Sequence, residues 1–518
     1  MTATDVLGYL RPSNVLCGVG AYIAWKVLYA LYLSPLRNVP GSFWTRISKL
    51  PMFIADIQGT EREFMLWHQA KYGDVFVMEP LKIAVCDPDD CATVLGSHAF
   101  AKDQRYSNVE FIEPNTFLTR DPALNKQRRR QIGPVLSVNS LLKMEPVILA
   151  AGSEQLLAKW DQLLSESPKA RVCYYYDFML MTFDVISTLG FGHSHRSLTT
   201  GDLRITRWVK QSFFLLFLQI LMPFVKSWPF KHVFAKSLYR EVDAFIGFGT
   251  SAIKRRKELL AQQQQQQQDA GEKPNDILQS FIDAEDPESK IKMTSNQVVA
   301  ETIVSLLAGS DTSSNTLSWT IHLLLMHPEY LDRATREVRT SFQRTHTIAY
   351  VEAQRKLPFL EACMYESMRL MPVSSNLPRC MPRGGTVIQG HFIPDDHTCS
   401  VSPLCANMSP RAWPNPHQYK PDRFLENDAL KRRIMTFSMG VRVCPGRHLA
   451  LIEMLTTLAN ILNAYDLEIP EDALFTPDFV SKDTGMPLLM PCNNAVTCAP
   501  RFPDRDCNVV ISKRAEVE

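Results

Sequence analysis

FSMGVRVCPGRHLA, residues Phe437 to Ala450, is the stretch on which the reading of this chain turns. Cys444 is followed by Pro445 and Gly446, then by Leu449, Ala450, Ile452, Met454, Leu455 and Leu458 at helical spacing. The pattern predicts a helix running to about Tyr465 with the cysteine at its N-terminus. Free backbone N–H groups and the positive end of the helix dipole there favour thiolate over thiol, and a thiolate is a soft metal ligand. Upstream, Gly440 permits a turn at positive φ where the loop passes close to something flat, Phe437 can pack on the same object, and Arg442 can pair with a carboxylate. A lone cysteine before a helix is most often a small buried hydrophobe. The residues around Cys444 argue otherwise: Phe, Gly, Arg, Cys and Gly at offsets 0, 3, 5, 7 and 9 spell FxxGxRxCxG. Its chance occurrence in a chain of this length is on the order of 10⁻⁴.

Two further segments belong with it. Thr294 and Gln297 have capping-box spacing and open a pattern predicted to continue to about Met326, a helix roughly 50 Å long. Val298, Val299, Ile303, Val304, Leu306, Leu307, Leu317, Trp319 and Ile321 make it apolar almost all round, so it is expected to be buried. In its middle stands AGSDTS, Ala308 to Ser313. An Asp and a Thr there compete for backbone hydrogen bonds, and the acid is costly to bury, a breach of local preference that points to function. The other segment is YESMR, where Glu366 and Arg369 share a helical face and can pair.

These segments resemble the cytochrome P450 family, and the resemblance covers most of the chain from residue 40 onward. It implies a mainly α-helical fold with a small β region, the cytochrome P450 fold, preceded by one N-terminal transmembrane helix. It implies that Cys444 is the axial thiolate of haem b (iron protoporphyrin IX), a ligand that favours O–O cleavage. Phe437, Gly440 and Gly446 then belong to the haem-binding loop, and Arg442 and Arg379 contact haem propionates. Ala308 and Gly309 let the long helix lie close over the haem, Thr312 opens a hydrogen-bond kink that makes room for dioxygen, and Asp311 with Thr312 relays protons. YKPDRF, Tyr419 to Phe424, matches the family segment that places a second arginine, here Arg423, on the same glutamate as Arg369. In NKQRRR, Asn125 stands where the family often has Trp or His, and Arg129, four residues later, is the implied propionate contact. The family's equivalent of Arg105 to Arg120 roofs the substrate; an ordinary surface loop fits the sequence equally well. Val373 to Asn376 would border the distal pocket.

Val15 to Leu33 is a nineteen-residue apolar run broken only by Lys26. It is long enough to span a bilayer, with Tyr22, Trp25, Tyr29 and Tyr32 suited to its interfaces. Arg37, Arg46 and Lys49 follow the run, which places the body on the cytosolic side; a cleaved signal peptide is the competing reading. The expected organisation is an anchor over 1–36, a proline-containing hinge over 37–43 and a haem-thiolate domain over 44–518, with a glutamine-rich disordered linker at 262–274. Trp208 to Phe234 is expected to form two helices around Pro223 and Pro229 whose connecting loop dips into the lipid interface. The 12 cysteines show no CxxC pairs, which suits reduced thiols, and 56 basic against 54 acidic residues suggest no nucleic-acid partner.

The expected activity is a monooxygenase of the endoplasmic reticulum membrane acting on a hydrophobic lipid, terpenoid, steroid or aromatic secondary metabolite. Electrons would come from NADPH through NADPH–cytochrome P450 reductase, with cytochrome b5 as a second candidate donor, since the chain carries no flavin module or Rossmann fingerprint. Lys431, Arg432, Arg433 and the cations of 126–130 are placed to attract an acidic electron donor. A haem-thiolate isomerase or dehydratase, and a non-catalytic haem sensor, are the rival readings.

Overall fold

The computed structural model describes residues 12–192, 195–265, 276–374, 376–482, 484–494 and 496–514. Its axis is the helix Ser295–Met326, capped by the Thr294 side chain on the Gln297 N–H and by the Gln297 side chain on the Thr294 N–H. This reciprocal cap satisfies donors that a helix start leaves open. The helix is buried on nearly every side. Tyr174–Phe191 packs along it through Phe178, Met179 and Phe183, none of them exposed, and ends on Gly192 in the left-handed region. The helices Pro358–Leu370 and Arg447–Ala464 complete the core around it.

The β region is small. Its main sheet runs Val75–Glu79, Lys82–Val85, Thr398–Val401, Leu377–Cys380, with the middle pair parallel and the outer pairs antiparallel. The last strand is an edge, and an isolated bridge joins its Arg379 to Lys102. The sheet thereby delivers two cations from distant parts of the chain to one place.

At the N-terminus, an apolar helical stretch covers Ser13–Leu33 with only 6% of its most apolar window buried. The segment after it is pinned rather than loose. Leu36 and Val39 are buried, and the Arg46 guanidinium donates to the carbonyls of Leu36 (3.0 Å), Arg37 (3.2 Å) and Val39. Around the two prolines the chain forms Arg204–Leu221, a short 3₁₀ turn from Pro223, a π-helical turn at Phe230–Phe234 and the helix Lys236–Gln265. Between the two long helices Phe224, Trp228, Phe230, Val233 and Phe234 are exposed. The helix backbone continues to Gln265, into the glutamine tract, and residues 266–274 of the expected linker lie outside the described residues.

Candidate active site

A cavity of about 440 Å³ lies between the long helix and the cysteine loop, lined by Ala308, Gly309, Thr312, Ser313, Thr316, Phe437, Cys444, Gly446, Arg129, Arg379 and Arg442. Cys444 faces it from a tight loop in which its N–H donates to the Phe437 carbonyl (2.8 Å), two residues ahead of the Gly446 N-cap. The Cys444 side chain opens onto the cavity while the protein encloses it elsewhere. Burial raises the thiol pKa, opposed by backbone N–H groups of Gly446 and Arg447 and by the charges of Arg129 and Arg447. Those N–H groups are the ones the first turn of a helix leaves free.

Three guanidinium groups converge on the same space. Arg129 donates through Nη1 to the Val443 carbonyl (2.8 Å), Arg379 through Nη1 to the Pro378 carbonyl (2.8 Å), and Arg442 through Nη1 to Asn125 Oδ1 (3.2 Å). The Nε atoms of all three, and Nη2 of Arg442, are buried without a protein partner. Burial and the neighbouring charges of Arg379 and Arg129 lower the pKa of Arg442 to about 10. Lys102, buried nearby, is likewise pushed well down by burial and by Arg379, Arg442 and Arg129. Cations crowded together with spare donors form a site for an anionic group.

Two of the expected glycines have close neighbours that the sequence did not show. Gly440 has φ +55, but a Cβ there would lie 2.6 Å from Gly96 Cα, so the close neighbour is backbone, and Gly440 does not line the cavity. Gly309 lines the cavity, yet a Cβ on it would meet Ile186 Cγ1 at 3.1 Å, so the missing side chain serves helix packing as well. Ser295–Met326 is helical throughout, and the Thr312 hydroxyl donates to the Ala308 carbonyl one turn back (2.7 Å). Hydroxyls at Ser310, Thr316, Ser318 and Thr320 bond back one turn in the same way, which satisfies these polar groups inside an apolar rod.

Asp311 does not line the cavity. It is 3% exposed and accepts from Thr497 Oγ1 (2.6 Å), and Thr497 is the residue of the pair that reaches the cavity. Burial raises the Asp311 pKa, opposed by the hydrogen bonds of Thr497 and Asn315 and by the Lys210 charge. The cations at 126–130 also part company: Lys126 is exposed, Arg128 is buried, Arg129 faces the cavity and Arg130 pairs with Asp286 at 2.5 Å. Lys431 is held by Glu361 (2.6 Å) and Asp428 (2.8 Å), leaving Arg432 and Arg433 as the exposed part of that patch.

Glu366, Arg369 and Arg423 meet behind the cysteine loop, the first two with fully buried side chains. Arg369 grips the carboxylate through Nε (2.8 Å) and Nη2 (2.9 Å), and Arg423 Nε (3.1 Å) and the Lys420 N–H (2.8 Å) bind Glu366 Oε1. The rest of the Arg369 fork donates to the carbonyls of Asn407, Pro416 and Gln418. It thus fixes the irregular segment that leads into the cysteine loop.

Sequence reasoning missed Lys102, Thr116, Thr497, Glu301 and Glu453. The two acids had a signal: each is an acidic residue on an otherwise apolar helix, the same breach that singled out Asp311. Glu453 is 3% exposed, its pKa raised to about 8 by burial against a hydrogen bond from Ser313. Lys102, Thr116 and Thr497 sit in loops and had none.

Residues 42–490 match the family model described as Cytochrome P450. The chain is 38% identical over 502 residues to the cytochrome P450 monooxygenase helB1 of Aspergillus fumigatus, covering 96% of this chain and 85% of that protein. It is 38% identical over 509 residues to helB2 of the same organism, covering 96% and 98%. The crystal structure of cytochrome P450DA heme domain shares its fold, with a TM-score of 0.75 over 92% of this chain and 98% of that one at 19% identity. By family model, by relatives and by fold, the chain belongs to the cytochrome P450 family.

Proposed function

We propose that this protein is a membrane-tethered haem-thiolate monooxygenase that places one oxygen atom from O₂ into a hydrophobic small molecule, using electrons passed from NADPH by a separate reductase. Membership of the family makes it an oxygenase with a haem cofactor. The residues around the cavity fit that group. The orphaned nitrogens of Arg129, Arg379 and Arg442 suit its two carboxylates, and the Cys444 sulfur lies on the same cavity for its iron. When bound, haem supplies the iron at which dioxygen is held and reduced.

The protein's own groups divide the remaining work. The N–H groups of Gly446 and Arg447 hold charge on the Cys444 sulfur. The Thr312 hydroxyl spends its proton on the Ala308 carbonyl and so faces the cavity as an acceptor. Asp311 keeps its proton more readily than a solvated carboxyl and meets the cavity through Thr497, so a proton from the acid would reach the cavity through that hydroxyl once it turns to accept from the acid, rather than directly through Thr312. Phe117, Phe213, Leu216, Phe217, Ile220 and Leu449 give the cavity apolar walls, which suits a lipid-like or aromatic substrate. The apolar stretch Ser13–Leu33 supports an anchor in the endoplasmic reticulum membrane, and exposed Arg432 and Arg433 support docking of an acidic donor, a reductase or cytochrome b5.

The observation that carries the reading is the meeting of Cys444 with three part-satisfied arginines on one cavity. The test is the optical spectrum of the reduced protein under carbon monoxide, followed by NADPH-driven turnover with added reductase and a spin-state screen of hydrophobic compounds. Thiolate ligation abolished by Cys444→Ala, with NADPH-dependent oxygenated product, is expected. Nitrogen or neutral-sulfur ligation in undamaged protein, or turnover surviving Cys444→Ala, would overturn it.

A further inference from the structure

Thr116, in the loop over the cavity, ties several distant parts of the protein together through its polar groups. Its N–H and Oγ1 donate to Glu301 Oε1 on the long helix (2.8 and 3.0 Å). Its carbonyl accepts from Asn125 Nδ2 (2.9 Å) on the helix Pro122–Ile132 and from Lys102 Nζ (3.0 Å). Asn125 is 1% exposed, and its carbonyl oxygen is the acceptor for Arg442 Nη1. An unbroken chain of hydrogen bonds therefore runs from Arg442 through Asn125 and Thr116 to Glu301, itself 1% exposed. An asparagine makes this link because its amide accepts at one end and donates at the other; an indole at 125 has only a donor.

The guanidinium is planar and rigid. With Nη1 committed to Asn125, its Nε and Nη2 form the free edge, and both are buried without a protein partner. Through this chain a shift of the Thr116 loop would turn that edge, and an anion seated on the edge would in turn hold the loop. Thr116, Phe117 and Tyr106 line the cavity, so the loop is also a wall of the substrate space.

We propose that Asn125 is a positioning residue that couples the loop over the substrate cavity to the arginine that holds a haem carboxylate, so that ligands reaching this loop and the carboxylate site respond to each other. The inference rests on haem binding at Arg442, as proposed above. Such coupling is reciprocal: what fixes one end must favour the other. Lys102, held on the carbonyls of Thr116 and Phe117, also braces the loop through bonds that do not involve residue 125.

The test uses the full-length haem-loaded protein and its Asn125→Leu variant, which keeps the approximate volume and removes both hydrogen bonds. The probes are imidazole, which needs only the iron, and 1-dodecylimidazole, whose tail reaches the cavity walls. Expected are an unchanged carbon monoxide spectrum, backbone amide exchange at 115–118 at least tenfold faster, imidazole affinity within twofold of the parent, and 1-dodecylimidazole affinity at least tenfold weaker. Thr116→Val, which removes only the hydroxyl donor, gives a milder disturbance of the same loop and is expected to change exchange and 1-dodecylimidazole affinity about threefold; it decides the matter if Asn125→Leu does not fold. Exchange and 1-dodecylimidazole affinity equal to the parent's in the folded variants, or equal loss of both azoles, overturns the coupling. A parent that binds no haem would overturn the functional reading and this inference together; a haem-loaded parent with insensitive variants overturns this inference alone.

Discussion

Replacing Arg369 by alanine removes one side chain yet disturbs most of the wall behind the cysteine loop. Arg369 supplies two of the hydrogen bonds on the Glu366 carboxylate, leaving Arg423 Nε and the Lys420 N–H, both on Oε1. Oε2 of a fully buried acid would be stripped of its donor, a situation that costs about 3 to 5 kcal/mol when one partner of a buried pair is removed. The carbonyls of Asn407, Pro416 and Gln418 lose donors as well, at about 1 to 3 kcal/mol for each that water fails to reach. These costs do not add fully, and about 4 kcal/mol, roughly a thousandfold in the folded-to-unfolded ratio, is the expected loss. Because the affected segment leads into the Cys444 loop, haem retention should fail with it. The assay is haem per chain in freshly purified protein together with the urea concentration that releases half of the haem. Arg369→Lys keeps the charge without the fork and should fall between parent and alanine variant. Full haem content in Arg369→Ala, with a change in unfolding free energy inside the roughly 10–15% uncertainty of extrapolation, would refute the reasoning.

Glu453→Gln tests a buried acid through pH. The folded pKa of about 8 lies above the ordinary glutamate value of 4.5, so the parent's stability from this group is complete below about 4.5 and lost as pH rises through about 8. The loss amounts to about 4 kcal/mol at pH 8, and the glutamine variant should lack it; equal stability–pH slopes for the two proteins would count against it. Thr497→Val takes away the hydroxyl that joins Asp311 to the cavity, and NADPH consumption should be diverted from product to peroxide by roughly tenfold, a modest share of what a positioned proton donor contributes; unchanged coupling would return the relay to Thr312. Trp228→Ser with Phe230→Ser, in protein lacking residues 1–33, should weaken binding to phospholipid vesicles by about 30-fold, corresponding to about 2 kcal/mol of apolar burial, since both rings are exposed; vesicle co-sedimentation equal to the parent's would exclude that loop from the interface.

What the sequence made legible was short-range. The Thr294 and Gln297 pair marked the start of the long helix, and the apolar spacing after Gly446 marked the helix ending at Ala464, because capping and periodicity are settled by neighbours in the chain. Glycines were legible only by half: their need for space could be read at Gly440 and Gly309, but the objects filling it, Gly96 and Ile186, are set by tertiary packing. Asp311 was correctly marked as out of place on an apolar helix, while its partner Thr497 lies 186 residues away. Asn125 read as a gap in a family pattern, and its contacts at Thr116 and Arg442 appear only once two loops and a helix are brought together.

The guanidinium of Arg46, threaded onto three carbonyls between Leu36 and Val39, makes the junction behind the N-terminal apolar helix a mount instead of a swivel. Burial already lowers the Arg46 pKa, so those carbonyls are its solvation. A soluble version trimmed beyond Val39 would keep the cation and discard its acceptors, whereas one trimmed at Leu33 keeps the mount whole. Where an engineer cuts should therefore matter more than how much is cut, and in the proposed membrane-tethered form the angle of the catalytic body to the bilayer would be set by Arg46 and the three carbonyls it holds rather than left to a flexible leash.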